Sequence, residues 1–477
     1  MAQHSKSHDN PNPQTMPDST TRPVGGTEFS WCKAVPGGTG ITVLGLLLSK
    51  PPPISILQNT LHNIQNSHPI LRSKIHLDSA TNTFHFVTPP NPSIQIQPFD
   101  PQSTLRILQS ESNGHDHNNN NHHHADTFQI LLEHEMNRNT WRDLSGDGSD
   151  VIYASAYEIS DERFAVFLRL HTAACDRAAA VALLREILVR VGGGEGKTEE
   201  GMMNMAIEDV IPVEKRNKAF WARGLDMLGY SLNAFRLGNL GFVDADSPRR
   251  SRVVRLQFNA DETHSLVTGC KSRGIKLCGA IAAAGMIASR ASKHLPEHQK
   301  EKYAVVTLID CRSSLDPVLC SNHLGFYHSA IMNTHDVCGE TLWELAERSY
   351  TSFVNAMNCN KHFSDMSDLN YLMCKAIENP GLTPSSSLRT ALISVFEDTV
   401  IDDSAEIHKE LGLEDYVGCA SAHGIGPSLA VFDTIRDGKL DCAFVYPWPL
   451  HSREQIQELV NHMKRILVDG CNSENQS

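Results

Sequence analysis

The stretch most able to do chemistry is FAVFLRLHTAACDRA, residues 164–178. An apolar run of strand length delivers an imidazole, His171, at its end, and a strongly helical pattern begins at residue 176. A histidine fixed at a strand end titrates near neutrality and is suited to take a proton from an attacking hydroxyl or amine. His171 is therefore the candidate general base. Cys175 offers a second chemistry, a thiolate nucleophile, which would need a neighbouring base or a helix N-terminus to lower its pKa. A small buried residue that only packs is the reading adopted for it. Ser421 and His423, in GCASAHGIGP, could donate to an oxyanion and supply another imidazole; a glycine-bounded turn accounts for them equally well. His328 and His362 lie in no such setting and read as surface histidines.

Two other segments suggest chemistry and do not carry it. GGGEGKT, residues 192–198, resembles a phosphate loop, but Val191 stands where the first glycine is required and the segment follows a helix rather than a strand. HDHNNNNHHH, residues 115–124, has no apolar period and reads as a surface insertion, so no metal site is expected.

The elements that must hold these residues follow from periodicity. Residues 41–48 (ITVLGLLL) read as a buried strand, and Ile54, Leu57, Leu61 and Ile64 recur at helical steps. Residues 73–77 and 83–87 alternate as a hairpin. A helix over 128–138 and strands over 152–158 and 164–170 precede the helix over 176–190. Beyond residue 250 come a strand over 252–258, a helix from Ala260, a small-residue helix over 280–291, strands over 304–310, 392–397, 429–435 and 442–447, and helices over 342–357 and 455–468. Strands and helices interleave without strict alternation, which predicts two α/β halves with mixed sheets. The expected organisation is a disordered tail over 1–25, a first domain over 26–199 with a low-complexity insertion over 111–126, a helical crossover over 200–250, and a second domain over 251–477.

Composition bounds the partners. The chain has 477 residues, 42 basic and 55 acidic, for a net charge of -13. Such a surface does not gather phosphates, and Arg249-Arg250-Ser251-Arg252 is too short a cluster to reverse that, so no nucleic-acid partner is expected. The longest apolar runs, 41–48 and 278–288, are too short to span a bilayer, so no membrane partner is expected either. The first residues lack a charged-then-apolar leader. Twelve cysteines without a CxxC pair predict reduced thiols and a cytoplasmic location.

The segment around His171 resembles the His-x-x-x-Asp-Gly signature of the CoA-dependent acyltransferase superfamily, which includes chloramphenicol acetyltransferase, alcohol acetyltransferases, the BAHD enzymes and condensation domains of peptide synthetases. Ser67-His68-Pro69-Ile70-Leu71-Arg72 is similar to the family's "HPxLR" element. Asp310-Cys311-Arg312 through Pro317, then Leu324-Gly325-Phe326, is similar to its "DxR…P…GN" stretch. Gly424-Ile425-Gly426-Pro427 and Asp437-Gly438-Lys439-Leu440 resemble the condensation-type C-terminal pattern. In texture the chain is most similar to plant condensation-domain-containing and alcohol acetyltransferase-like proteins.

The resemblance implies two similar chloramphenicol acetyltransferase-like domains around an interface tunnel. It implies an acyltransferase in which His171 deprotonates an alcohol or amine that attacks a CoA thioester. Acyl-CoA is then a co-substrate, with no bound cofactor or metal, and the chain a monomer whose partners are acyl-CoA and a small acceptor. Two alternatives stand beside it, a non-catalytic ligand-binding relative and a condensation-type enzyme using carrier-protein thioesters. The family's aspartate is structural and pairs with an arginine. Here the fourth residue after His171 is Cys175 and the aspartate is one later, Asp176. Leu170 precedes His171, so the histidine doublet of condensation domains is absent, as is the BAHD "DFGWG" motif. The expectation is a loop with one extra residue, from which Asp176 pairs with Arg72 or Arg312.

Overall fold

The computed structural model describes residues 19–50, 52–112, 127–144, 146–194, 204–216, 237–296, 298–383 and 387–472. Its smallest sheet orders β1 (Thr20–Pro23), β4 (Thr83–Thr88), β3 (Lys74–Asp78) and β6 (Ser149–Asp150) side by side. The expected hairpin is β3–β4. The disordered tail expected over 1–25 is corrected at its end: residues 20–23 pair antiparallel with β4, and Arg22 donates two hydrogen bonds, of 2.7 and 2.8 Å, to the Glu28 carboxylate. Pairing to the half-buried strand β4 outweighs the polar composition there.

The second sheet contains β2 (Thr39–Leu48), β5 (Ile96–Phe99), β7 (Ile152–Ser160), β8 (Arg163–His171) and β14 (Leu413–Ala422), in the order β14-β2-β8-β7-β5. All ten residues of β2 are buried. That explains why it reads as a continuous apolar run rather than an alternating one: both of its faces are covered. The strand β14 belongs to the second half of the sequence yet pairs antiparallel with β2. The expected division at residue 250 therefore does not separate the sheets, because residues 413–422 complete the sheet of the first half.

The third sheet runs β11 (His328–Val337), β10 (Glu301–Asp310), β12 (Arg389–Phe396), β15 (Gly426–Arg436), β16 (Lys439–Trp448), β9 (Arg250–Gln257), with β13 (Val400–Asp402) also pairing β15. The β10–β12, β12–β15 and β13–β15 pairs are parallel and the rest antiparallel. The small-residue helix Leu277–Ala291 packs on this sheet and on the helices Leu342–Asn358 and Arg453–Asn472. Its alanines and glycines permit the close approach: a Cβ at Gly285 would stand 3.0 Å from Ile393, and one at Gly279 3.1 Å from Tyr350.

Of the expected crossover over 200–250, the described parts are short helices, Ile207–Val210 and Val213–Arg216, and an irregular stretch over 237–249. Its amphipathic centre lies outside the described residues, as do residues 113–126 of the expected insertion; residues 111–112 end the helix Pro101–Ser112. A buried carboxylate ties the halves together. Glu133, on helix Thr127–Asn137, accepts from Arg252 at 2.7 Å and from Arg453 at 2.6 Å. No single helix among the described residues is long and apolar enough to cross a membrane.

Candidate functional site

A cavity lies between the five-stranded sheet, with its helix Arg177–Val191, and the face of the larger sheet. Gly40, Thr42 and Leu44 of β2 line it from one side, and Phe396, Ala430 and Phe432 from the other. Leu184 and Leu188 of the helix extend the apolar wall, and Trp31 and Phe326 meet at 5.7 Å between ring centroids. Gly40 holds φ at +89°, and a Cβ there would stand 2.8 Å from the Trp31 ring and 3.1 Å from Thr172 Oγ1, so a side chain would both strain the backbone and fill the space.

Strand parity decides what β8 presents to this cavity, because successive side chains of a strand face opposite sides. Ile41 lies opposite His171, and Thr42 opposite Leu170. Since Gly40, Thr42 and Leu44 line the cavity, Ile41 and His171 face the other way. There His171 is 0 % exposed and packs edge-on to Trp141 at 5.4 Å. Its Nδ1 accepts a hydrogen bond from the Ala173 N–H at 3.2 Å. With Nδ1 accepting, the neutral ring carries its proton on Nε2, which is sealed off with no hydrogen-bond partner among the described residues. Burial pulls the His171 pKa down to about 3. The side chain expected to be the base is a core residue with no lone pair turned to the cavity.

The residue that does face the cavity from this strand end is Thr172. Its Oγ1 donates to the Gly40 carbonyl at 2.7 Å and lies 3.0 Å from Thr42 Oγ1. Thr172–Ala174 forms a single 3₁₀ turn, and Asp176 then caps the helix Arg177–Val191, accepting from the Ala179 N–H at 2.8 Å. Asp176 is thus the fourth residue after the one that faces the cavity. The expectation of an extra loop residue is corrected: the loop has ordinary length, and the imidazole stands one position early.

Asp176 joins the two halves. It is 3 % exposed. Arg312 Nη1 lies 3.0 Å from Oδ2 and Nη2 donates to Oδ1 at 3.1 Å. The Tyr327 N–H donates to Oδ2 at 2.7 Å, and the Asp176 N–H itself donates to the Gly325 carbonyl at 3.1 Å. Burial alone would raise the carboxyl pKa; the facing Arg312 guanidinium reverses this and holds it well below the usual range. Of the two arginines expected near Asp176, the structure brings in Arg312 and leaves out Arg72, which donates to the carbonyls of Pro89 and Gln65.

The remaining candidates separate as well. Ser421 lines the cavity, its Oγ accepting from the Ile41 N–H at 3.0 Å. His423 lies outside it, with Nδ1 3.0 Å from Ser251 Oγ and its ring packed on Gly38. Cys175 is fully buried, does not line the cavity, and burial pushes its thiol pKa up, against thiolate formation. No cluster of three or more metal-ligating side chains occurs among the described residues.

The residue that sequence reasoning missed is His328, the first residue of β11. It is 6 % exposed, not a surface histidine, and lines the cavity. Its Nδ1 lies 2.9 Å from Asp176 Oδ2, although the ring is turned so that an N–H there does not point squarely at the oxygen. The Phe396 ring meets it edge-on at 5.9 Å. A signal existed: His328 follows Leu324-Gly325-Phe326 by two residues, and the backbone of Gly325 and Tyr327 is what grips Asp176.

Comparison with known proteins agrees with this architecture. Residues 247–335 match the family model described as phthiocerol/phthiodiolone dimycocerosyl transferase C-terminus. By sequence, no curated protein matches the chain. Among solved structures, the chain is similar to the trichothecene 15-O-acetyltransferase TRI3 from Fusarium sporotrichioides, with a TM-score of 0.68 at 12% identity over 95% of both chains. It is also similar to the first condensation domain of the calcium-dependent antibiotic synthetase (TM-score 0.63, 12% identity, 94% of this chain and 95% of that one). A third is polyketide synthase associated protein 5 from Mycobacterium tuberculosis (TM-score 0.61, 14% identity, 96% and 100%). The fold is the two-domain fold of condensation domains and chloramphenicol acetyltransferase-like acyltransferases.

Proposed function

We propose that the protein transfers an acyl group from a thioester, in the first instance that of CoA, to an alcohol or amine, the two substrates meeting in the cavity between the sheets. The observation that carries this reading is the cavity itself, a largely apolar space between the two sheets that is bordered by Asp176, the carboxylate through which Arg312 joins the two halves. The apolar wall suits an acyl chain. The attacking oxygen or nitrogen gives up its proton as it adds to the thioester carbonyl, and the oxyanion so formed collapses with loss of the thiolate. The Ser421 hydroxyl, at the wall, is the group available to donate to that oxyanion. The twelve cysteines, none of them in a disulfide, suit a reducing, cytoplasmic setting.

The test is thiol release from a panel of CoA esters of increasing chain length, with simple alcohols and amines as acceptors and a pantetheine ester in parallel. Release from CoA esters supports the reading, and release from the pantetheine ester alone favours carrier-protein donors. One observation favours a second reading, a non-catalytic binding protein: the strand-end imidazole faces the core. In that case no ester is turned over, yet CoA or an acyl-CoA raises the melting temperature, as any ligand selective for the folded state must.

A further inference from the structure

We infer that His328, held by Asp176, is the group that takes the acceptor's proton in place of His171; this rests on the acyl-transfer reading above. A base must reach the reacting atoms, and of the two histidines only His328 borders the cavity. It needs an orienting partner, and its Nδ1 is 2.9 Å from a carboxylate that four other contacts lock in place. The other polar groups nearby are committed. Thr172 Oγ1 donates to Gly40. Asp176, bound by Arg312 and backbone N–H groups, is held ionised and serves to orient a ring rather than to take the proton. His408, at the far end of the cavity, has Nε2 buried and 3.5 Å from Asp402.

A small rotation of the ring squares Nδ1–H on Asp176 Oδ2. The Nε2 lone pair then faces the cavity, the arrangement in which a carboxylate fixes the tautomer of a catalytic imidazole. An oxygen or nitrogen lone pair of the acceptor bonds to the thioester carbonyl carbon, the C=O π pair moves to oxygen, and the acceptor's proton passes to Nε2. When the oxyanion re-forms the carbonyl, the C–S bond breaks, the sulfur leaves with its pair, and the imidazolium returns the proton to make the thiol. Asp176 stays ionised throughout.

The test uses the full chain with whichever ester the panel shows to be turned over, and compares His328→Ala, His328→Asn and His171→Gln. Asparagine keeps an N–H donor for Asp176 and removes the base, so His328→Asn is the variant expected to fold as wild type. Both His328 variants are expected to lose about 10²–10⁴-fold in kcat, the range for general-base removal, with KM little changed; His171→Gln keeps wild-type kcat. A readout independent of turnover is carbethoxylation by diethylpyrocarbonate, followed by peptide mass. Labelling at His328 that the thioether analogue of the active ester suppresses places Nε2 at the acyl site. Wild-type kcat in both His328 variants overturns the assignment while leaving acyl transfer standing. A wild-type protein that turns over no ester overturns the acyl-transfer reading and this one with it.

Discussion

Two histidines sit at strand ends and differ in everything that matters for chemistry. His171 closes β8 and His328 opens β11. The first is delivered by an apolar strand, as a catalytic side chain often is, yet its parity turns it to Trp141 and the core. The second starts a polar-looking strand, yet borders the cavity with a carboxylate at its Nδ1. A shift of one residue along a strand moves a side chain from one face to the other, so the face, more than the neighbouring sequence, assigns the role. Asp176 separates the two cases: it stands against His328 and not against His171.

The strongest way to break this comparison is to remove Asp176. Deleting this buried carboxylate leaves Arg312 with the partly exposed Asp310, at 2.9 Å, as its remaining anion, so Asp176→Ala is expected to cost about 3 kcal/mol in urea unfolding, the low end for breaking a buried pair. It also frees the ring of His328, so turnover falls with stability. Asp176→Asn keeps one acceptor and the helix cap, and should be milder in both. If Asp176→Ala proved as stable as wild type, the clamp would not be what joins the halves here.

A smaller effect separates the histidines by pH. The fold holds His171 neutral, with its pKa down at about 3 against an ordinary 6.5. The unfolded chain therefore binds a proton that the folded chain refuses, and stability is lost as pH falls below 6.5. Between pH 7 and 5 that linkage is worth about 2 kcal/mol for one such residue. His335, His362, His423 and His451 are likewise pulled down, each to about 4, and share the window. The measurement is consequently a difference. The pH 7 to pH 5 drop in unfolding free energy should shrink by about 2 kcal/mol in His171→Gln relative to wild type. An unchanged drop would mean that water reaches the ring.

Much of the fold was legible because buried apolar runs and helical periods are strong signals. β2, the hairpin β3–β4, β8, and the helices Arg177–Val191 and Leu342–Asn358 all lie where periodicity put them, within a few residues. The strands β11 (HSAIMNTHDV) and β14 (LEDYVGCASA) were not found. β11 is an edge strand carrying polar side chains, and β14 depends on a partner more than 360 residues away, Gly418 standing opposite Leu44. No local pattern can report a pairing of that range. Asp176 and Arg312 could be anticipated as partners from their motifs. The direction of the His171 ring could not, because the same sequence fits either parity until β2 is laid beside it. His328 was missed for the related reason that its carboxylate is 152 positions away in sequence.

Cys175 sharpens the comparison at its small end, since it lies in the same loop between the core-facing His171 and the clamped Asp176. Its thiol is fully buried and the Asp176 carbonyl is its near polar contact, with Sγ at 3.7 Å. A thiolate there would meet both burial and the neighbouring carboxylate charge, and both oppose ionisation. Truncating it removes one buried sulfur and leaves the turn Thr172–Ala174 and the cap of the helix in place. Cys175→Ala should therefore cost about 1–2 kcal/mol and keep wild-type kcat, and the wild-type protein quenched with ester should show no acyl-thioester adduct by intact mass. Loss of turnover together with a trapped adduct on the wild-type cysteine would replace direct transfer by a two-step route through this loop. The division between a core face and a cavity face at the end of β8 would then have to be redrawn.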